Sequence, residues 1–400
     1  LYSVMISSVP KYPDHIYYDL VITNFKSETT EPQKIYFNEN RTNPIINNSG
    51  DYKLSIVRFS VDTQALPLFI PEIQPNQDDP NKTIYSVSMS YLPVDASEPV
   101  VIQQFIEWVP QNKNVPAPPS PSATGTGLQS DAGTYYYCMS YQYLVALVYQ
   151  ALQTCFASLQ TAVSNAGYPT DLYDDMPPVI TWNNDTKCAV LYAPSANFNN
   201  YSSYSPLTEN PQAVQLYFNS PLFALFSSFP ATYYSNSASL GQNWRIAVGD
   251  FTGTNSIYLP STFSTSSNST LYSQVFQEYS TISNWSPVTS VCFLSATLPI
   301  VSNQMSAPLL YNDGRVISIG NNSNFAQIIT DLETLDNCYK PALMYVPSGE
   351  YRYISMTGNS PISNIDVSVM WRNKLGILQP LYLASGGTCT IKFLFEKVAA

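Results

Sequence analysis

Apolar residues return at every second position in stretch after stretch of this chain, and one segment alone keeps helical spacing. Tyr85, Val87, Met89 and Tyr91 alternate with Ser86, Ser88 and Ser90, which predicts a strand with one buried face. Leu54 to Val61 and Val100 to Val109 read as further strands. Near the end, Ile365, Val367, Val369 and Trp371 alternate with Asp366, Ser368 and Met370. The last such segment sets Cys389, Ile391, Phe393 and Phe395 against Thr390 and Lys392, with a turn at Gly386-Gly387 before it. Many short strands, punctuated by 31 prolines, predict an all-β sandwich or jelly roll.

The exception runs from about Tyr141 to Val163. There Leu144, Val148, Leu152, Cys155, Leu159 and Val163 recur at the spacing of one helix face, and Gly167 and Pro169 stop it. Core packing explains these side chains better than a cofactor site does. Upstream, the Pro- and Gly-rich run 110–133 is expected to form no regular element, and the chain is read as leaving one β layer there. A hairpin over Val179 to Tyr192, turning at Asn183-Asn184-Asp185, is expected after the helix. Loops rich in Ser and Asn follow at Ser195 to Ser205 and Ser261 to Thr270.

Composition narrows the chemistry. Only 11% of the 400 residues are charged, against about 25% in ordinary soluble domains. The single histidine, His15, stands far from any nucleophile motif, so a Ser–His–acid triad is not expected. Six cysteines (Cys138, Cys155, Cys188, Cys292, Cys338, Cys389) lack CxxC spacing and read as free thiols rather than zinc ligands or a disulfide framework. Asp171, Asp174 and Asp175 share one short loop but lack an EF-hand pattern. Gly125-x-Gly127 does not follow a strand, so no dinucleotide loop is read there, and Asp313-Gly314-Arg315 reads as a hairpin turn. Eight N-x-S/T sequons, from Asn40 to Asn321, are close to the ~6 that chance gives at this composition. No metal and no cofactor are expected.

Seventeen basic against 28 acidic residues give net −11, which disfavours nucleic-acid binding by the ordered chain. No apolar stretch reaches the length of a membrane span, and the opening residues lack a signal-peptide pattern. The chain begins at Leu1 rather than Met, which leaves room for an N-terminal arm of different charge.

Several segments together resemble a family. Leu20 to Glu28, Ile35 to Asn43 and Asn47 to Asp51 are similar to the first strands and loops of adenovirus-type penton base. The long helix followed by Ile180-Thr-Trp-Asn, and Leu216 to Phe226 leading to Trp244, resemble the inserted domain of that family. Tyr345 to Tyr353 and the Gly387-Thr-Cys-Thr-Ile-Lys ending are closer to penton, or minor capsid, proteins of virophages and polinton-like double-stranded DNA viruses. The resemblance implies a single jelly roll made from both chain ends, 1–110 and 290–400, with an inserted domain at 111–289. It implies a structural protein of the virion, assembled inside the host cell, whose homopentamer forms the capsid vertex. Its implied partners are itself, the major capsid protein, and a fibre or host receptor; no catalytic residues carry over, and the R-G-D loop of many adenoviral pentons is absent.

Tyrosine is enriched in interface cores and charge is depleted there, so Tyr85, Tyr91, Tyr345, Tyr351 and Tyr353 are the candidate interface residues, each weighed against packing within its own chain. The alternatives are another jelly-roll virion component (cement, spike or trimeric coat subunit) and a carbohydrate-binding module.

Overall fold

Strands outnumber helices throughout the computed structural model, which describes residues 13–25, 32–75, 77–123, 129–131, 133–172, 176–200, 210–235, 239–249, 256–258, 271–301, 303–305, 309–312, 315–318, 324–333, 342–345 and 351–398. The chain divides into two compact units. Unit 1 takes Leu1–Pro67 and Pro287–Ala400; unit 2 is Leu68–Ser286.

Unit 1 is built on two antiparallel sheets. The first runs His15–Thr23, Thr388–Lys397, Tyr52–Asp62, Ala342–Tyr345, and Ile354–Ser355 pairs with the start of Tyr52–Asp62. Residues near opposite ends of the chain are therefore direct neighbours, with Asp19 across from Lys392. The second sheet runs Ile328–Glu333, Val288–Leu294, Asn364–Asn373, Leu378–Pro380, and Tyr36–Asn40 pairs with the first half of Asn364–Asn373. Period-two alternation sends one side of each strand inward. Leu54, Phe59, Val61, Ile391, Phe393 and Phe395 are buried from the first sheet; Val291, Phe293, Ile365, Val367 and Trp371 are buried from the second. Phe59 meets Phe293 edge-on at 4.5 Å between ring centres.

A carboxylate sits among them. Asp366 is buried and accepts from the hydroxyls of Ser295 and Thr297 and the backbone N–H groups of Ala296 and Thr297. Burial alone would raise its pKa, but these hydrogen bonds outweigh it and hold the carboxylate below its ordinary range. The carboxylate thereby ties the turn after Val288–Leu294 to the neighbouring strand.

Unit 2 carries the helix, Tyr141–Asn165. Its predicted face, Leu144, Val148, Leu152, Cys155, Leu159 and Val163, is buried throughout. A glycine end motif stops it: Gly167 takes φ +103°, its N–H donates to Ser164 and that of Tyr168 donates to Val163. The helix packs on strands of both principal sheets of unit 2, one of which contains Lys82–Tyr91 and Val100–Glu107 and the other Val179–Asn183. Beyond it, Val179–Asn183 and Cys188–Pro194 form a hairpin in register Asn183 to Cys188, and the Asn183 side chain accepts from the N–H groups of Asp185 and Thr186 in the turn. Trp285 closes an aromatic cluster with Phe69, Tyr141, Trp182 and Phe226, and its indole N–H donates to Leu225 O at 2.6 Å.

Two expectations change. The first segment does not extend to residue 110, because Lys82–Tyr91 and Val100–Glu107 belong to a sheet with Gln215–Phe218 and Trp244–Ile246. The chain passes into unit 2 at residue 68, well before the Pro-rich run. The serine side of Lys82–Tyr91 is also not a solvated face, since Ser86 and Ser88 are fully buried. Ser88 donates to the Leu240 carbonyl and Ser86 accepts from Gln103, so short hydroxyls let a turn lie flat on the sheet. That turn passes through Leu240 and Gly241 with φ of +56° and +69°. A Cβ at Gly241 would meet Gln103 Nε2 at 2.7 Å.

Candidate assembly surface

The outward side of the first sheet of unit 1 gathers large side chains in rows set by strand register. His15, Glu396 and Lys53 form one row; Asp19, Lys392 and Arg58 a second; Val21, Thr390, Ser60 and Met344 a third. Tyr17, Val21 and Met344 are 55%, 64% and 70% exposed.

The charges on this face are bound to one another. Asp19 accepts from Arg58 at 3.2 Å and from Lys392 at 3.0 Å, and the Lys392 ammonium lies 5.1 Å from the centre of the Tyr17 ring. Lys53 pairs with Glu396 at 3.3 Å while standing 3.9 Å over the Tyr353 ring. The Tyr353 hydroxyl donates to Glu396. Desolvation first, and then this bond to a carboxylate, push the Tyr353 phenol up to about 12, whereas the hydrogen bond from Tyr353 holds Glu396 below the ordinary carboxylate range. Tyr351 meets Tyr353 edge-on at 6.1 Å.

The five candidate tyrosines separate by position. Tyr351 and Tyr353 stand exposed, Tyr353 on this face through Lys53 and Glu396. Tyr345 lies across from the buried Phe59 and so on the inward side of its strand. Tyr91 is half-buried in unit 2 and donates to Asp171 at 3.0 Å. Tyr85 is a correction: it lies in the core of unit 2 against Phe69, so its ring is not presented to a partner. Surface residues not singled out in the sequence include Tyr17, Val21, Arg58 and Met344. His15, Tyr17, Asp19, Val21 and Thr23 alternate with Ile16, Tyr18, Leu20 and Ile22, and that alternation is the signal that marks the exposed side.

Other chemistry-bearing groups do not converge. Cys138 is raised to about 11 and Cys155 and Cys389 to about 12, all first by burial, which keeps these thiols protonated and unreactive. Cys338, Asp174, Asp175, Gly125, Gly127, Asp313 and Gly314 lie outside the described residues, as do 201–205 and 261–270 of the two loops. Among the described residues no three His, Cys, Asp or Glu side chains come together as a metal site, and no helix is long and apolar enough to cross a membrane. A hollow of about 310 Å³ in unit 2 is lined by Asn183, Cys188, Phe276, Gln277, Glu278 and Tyr279, among others. Its Gln277 is already spent on Ala189, Ser228 and Thr281.

Architecture of this kind occurs in virus particles. A chain of the Sputnik virophage, from the 3.5 Å cryo-EM structure of that particle, matches with a TM-score of 0.74 and 27% identity over 96% of this chain and 98% of its own length. The protein is a structural capsid component, and its place is the virion. More narrowly, it belongs to the Sputnik minor capsid protein V18/19 family, whose model matches residues 16–397. Sputnik virophage protein V18, described as uncharacterized, is 36% identical over 154 residues, which are 38% of this chain and 87% of V18. The Sputnik structural protein V19 is 28% identical over 186 residues, 46% of this chain and 81% of V19. The mavirus penton protein shares the fold, with a TM-score of 0.61 at 13% identity over 96% of this chain and all of its own.

Proposed function

We propose that this chain is a non-catalytic subunit that builds the pentameric vertex of an icosahedral capsid. One observation carries the reading. Two five-stranded antiparallel sheets, each drawn from both chain segments of unit 1, are consistent with the two-sheet plan of a jelly roll, with the helix-bearing unit 2 inserted in sequence between those segments. The fold shared with a protein called a penton supports the same position. Five copies close through one repeated heterologous interface, and the major capsid protein surrounds the ring. A fibre or a host receptor is the partner on the outside. With one histidine in the chain and no metal-holding cluster of His, Cys, Asp or Glu among the described residues, packing and ring closure are the mechanism. Native mass spectrometry of the purified protein across salt tests it. A species of five 44.5 kDa chains is expected; a trimer would move the protein to a coat or spike position.

A further inference from the structure

We infer that the hollow in unit 2, beside the turn of the hairpin formed by Val179–Asn183 and Cys188–Pro194, is a binding site for a single neutral sugar ring. Its position follows from strand register. Val190 lies across from Phe276 and from Thr181, and Cys188 lies across from Asn183, so these side chains share one face of their sheet. Ala189, Leu191 and Val275 alternate with them and belong to the core of unit 2. The face turned away from that core carries a small floor of Cys188 and Val190, both buried. Two aromatic rings border it, Phe276 and Tyr279, and these are 47% and 61% exposed. The volume of about 310 Å³ stands at the lower end of the ~300–1,000 Å³ of small-molecule sites, which suits one ring and not a chain of them.

Both walls are fixed before any ligand arrives. The Asn183 side chain accepts from the N–H groups of Asp185 and Thr186, which holds the hairpin turn. The opposite wall, residues 277–280, is tied down at three points. The Glu278 N–H donates to Ser228 O at 3.0 Å, the Ser228 hydroxyl donates to Tyr279 O, and the Ser280 hydroxyl donates to Lys187 O at 2.7 Å. A site that needs no ordering keeps more of its contact energy as affinity.

The groups left over select the ligand. Among the described residues, the Glu278 carboxylate, the Asn183 NH2 and the hydroxyls of Thr186 and Tyr279 have no side-chain or backbone partner. The carboxylate only accepts, the amide NH2 only donates, and the hydroxyls do both. A sugar matches that mixture, because its hydroxyls donate and accept while the C–H side of its ring lies on the negative face of an aromatic. An ammonium ion only donates and would leave the Asn183 NH2 facing another donor. A wholly apolar ligand would strand the Glu278 carboxylate away from water, and an acidic sugar would meet it as a like charge. Glu278 is the sole carboxylate among the lining residues. Cutting a glycosidic bond takes two, so the site binds a sugar and does not cleave it.

That the partner outside the particle is a glycan rests on the reading above; sugar binding itself holds for any number of copies in the ring. Saturation-transfer difference NMR of the purified protein with the methyl glycosides of glucose, galactose, mannose and N-acetylglucosamine tests it. At least one is expected to bind with a dissociation constant of about 1–10 mM, with the strongest transfer to the C–H protons on one side of its ring. Tyr279→Ala and Glu278→Gln are each expected to weaken that binding about tenfold. Both side chains are exposed, so the far-ultraviolet circular dichroism should not change. No transfer to any of these sugars, binding that both variants leave intact, or tighter binding of choline than of any sugar overturns the inference. Native mass spectrometry reads the ring separately. A trimer that binds sugar keeps this site and rejects the vertex; a pentamer that binds none keeps the vertex and rejects the site.

Discussion

Unit 1 and unit 2 solve the same problem, a large chain with few charges, in opposite ways. The ion pairs Arg41–Glu39, Lys53–Glu396, Arg58–Asp19, Arg352–Asp331 and Lys392–Asp19 all belong to unit 1, as do the contacts of Arg41, Lys53 and Lys392 with tyrosine rings. Unit 2 is held by neutral groups: a cluster of indole and phenyl rings around Trp285, and hydroxyls and amides such as Ser86, Ser88, Gln103 and Gln277. Nearly all of the net charge nevertheless sits in unit 2, because four basic residues face 14 acidic ones there. Among the described residues, ion pairing is thus prominent in unit 1, whereas the surplus of acidic residues lies in the sequence of unit 2. The lesson is that net charge and electrostatic bonding are separable, and this chain keeps them in different places.

The sharpest way to break the comparison is Trp285→Ala. Trp285 is 2% exposed, and removing a buried tryptophan costs about 3–5 kcal/mol. Hydrogen exchange read by mass spectrometry should show the strands of unit 2 losing protection while Val288–Leu294 and Asn364–Asn373 keep theirs. Equal loss in both would mean that the units do not melt separately.

Asp366→Ala comes next and acts on unit 1. It leaves four donors without their carboxylate, at a cost of about 2–3 kcal/mol, and denaturant unfolding followed in unit 1 reads it. The pH dependence has a definite sign. The folded carboxylate is held below its unfolded value of about 3.9, so its contribution is full above that pH and is lost as pH falls through the lower folded value. The wild-type protein should lose stability in that acid window, and Asp366→Asn should flatten the profile.

Gly241→Ala is a smaller effect in unit 2. An alanine must hold φ near +69° and place a methyl against Gln103 and Ser86, costing about 1–2 kcal/mol. A thermal melt of the variant tests it, and an unchanged midpoint would mean the turn moves freely off the serines. Last in size is salt. At about 1 M salt the screening length falls to ~3 Å. The exposed pairs of unit 1 should then lose less than about 1 kcal/mol each, while exchange protection in unit 2 changes little.

Much of the strand content was legible because alternation is a local property. Ile365 to Trp371 and Cys389 to Phe395 show their inward sides without reference to anything else, and the helix betrays itself by spacing in the same way. The unit boundary was not legible. Lys82–Tyr91 is assigned to unit 2 by its pairing with Gln215–Phe218, more than a hundred residues later, and no local pattern records that choice. The tyrosines make the same point. Tyr85, inside the strand Lys82–Tyr91, and Tyr353, just before the short strand Ile354–Ser355, are the same residue type, but the first is covered by Phe69 and the second lies against Lys53. The serine side of Lys82–Tyr91 misleads for a related reason, since Ser86 and Ser88 look solvated in sequence and are in fact roofed by Leu240 and Gly241.

The strand Thr388–Lys397 lies between His15–Thr23 and Tyr52–Asp62 in the first sheet, and this placement has a consequence for manufacture. A ribosome releases all of Leu68–Ser286 before that strand exists; Thr388 follows Thr23 by 365 residues, and at about 5–20 residues per second the wait is roughly 20–70 seconds. During that interval His15–Thr23 lacks the strand it pairs with in the finished sheet. A prematurely ended polypeptide lacks the middle of that sheet altogether. Only a finished chain can therefore complete the first sheet of unit 1.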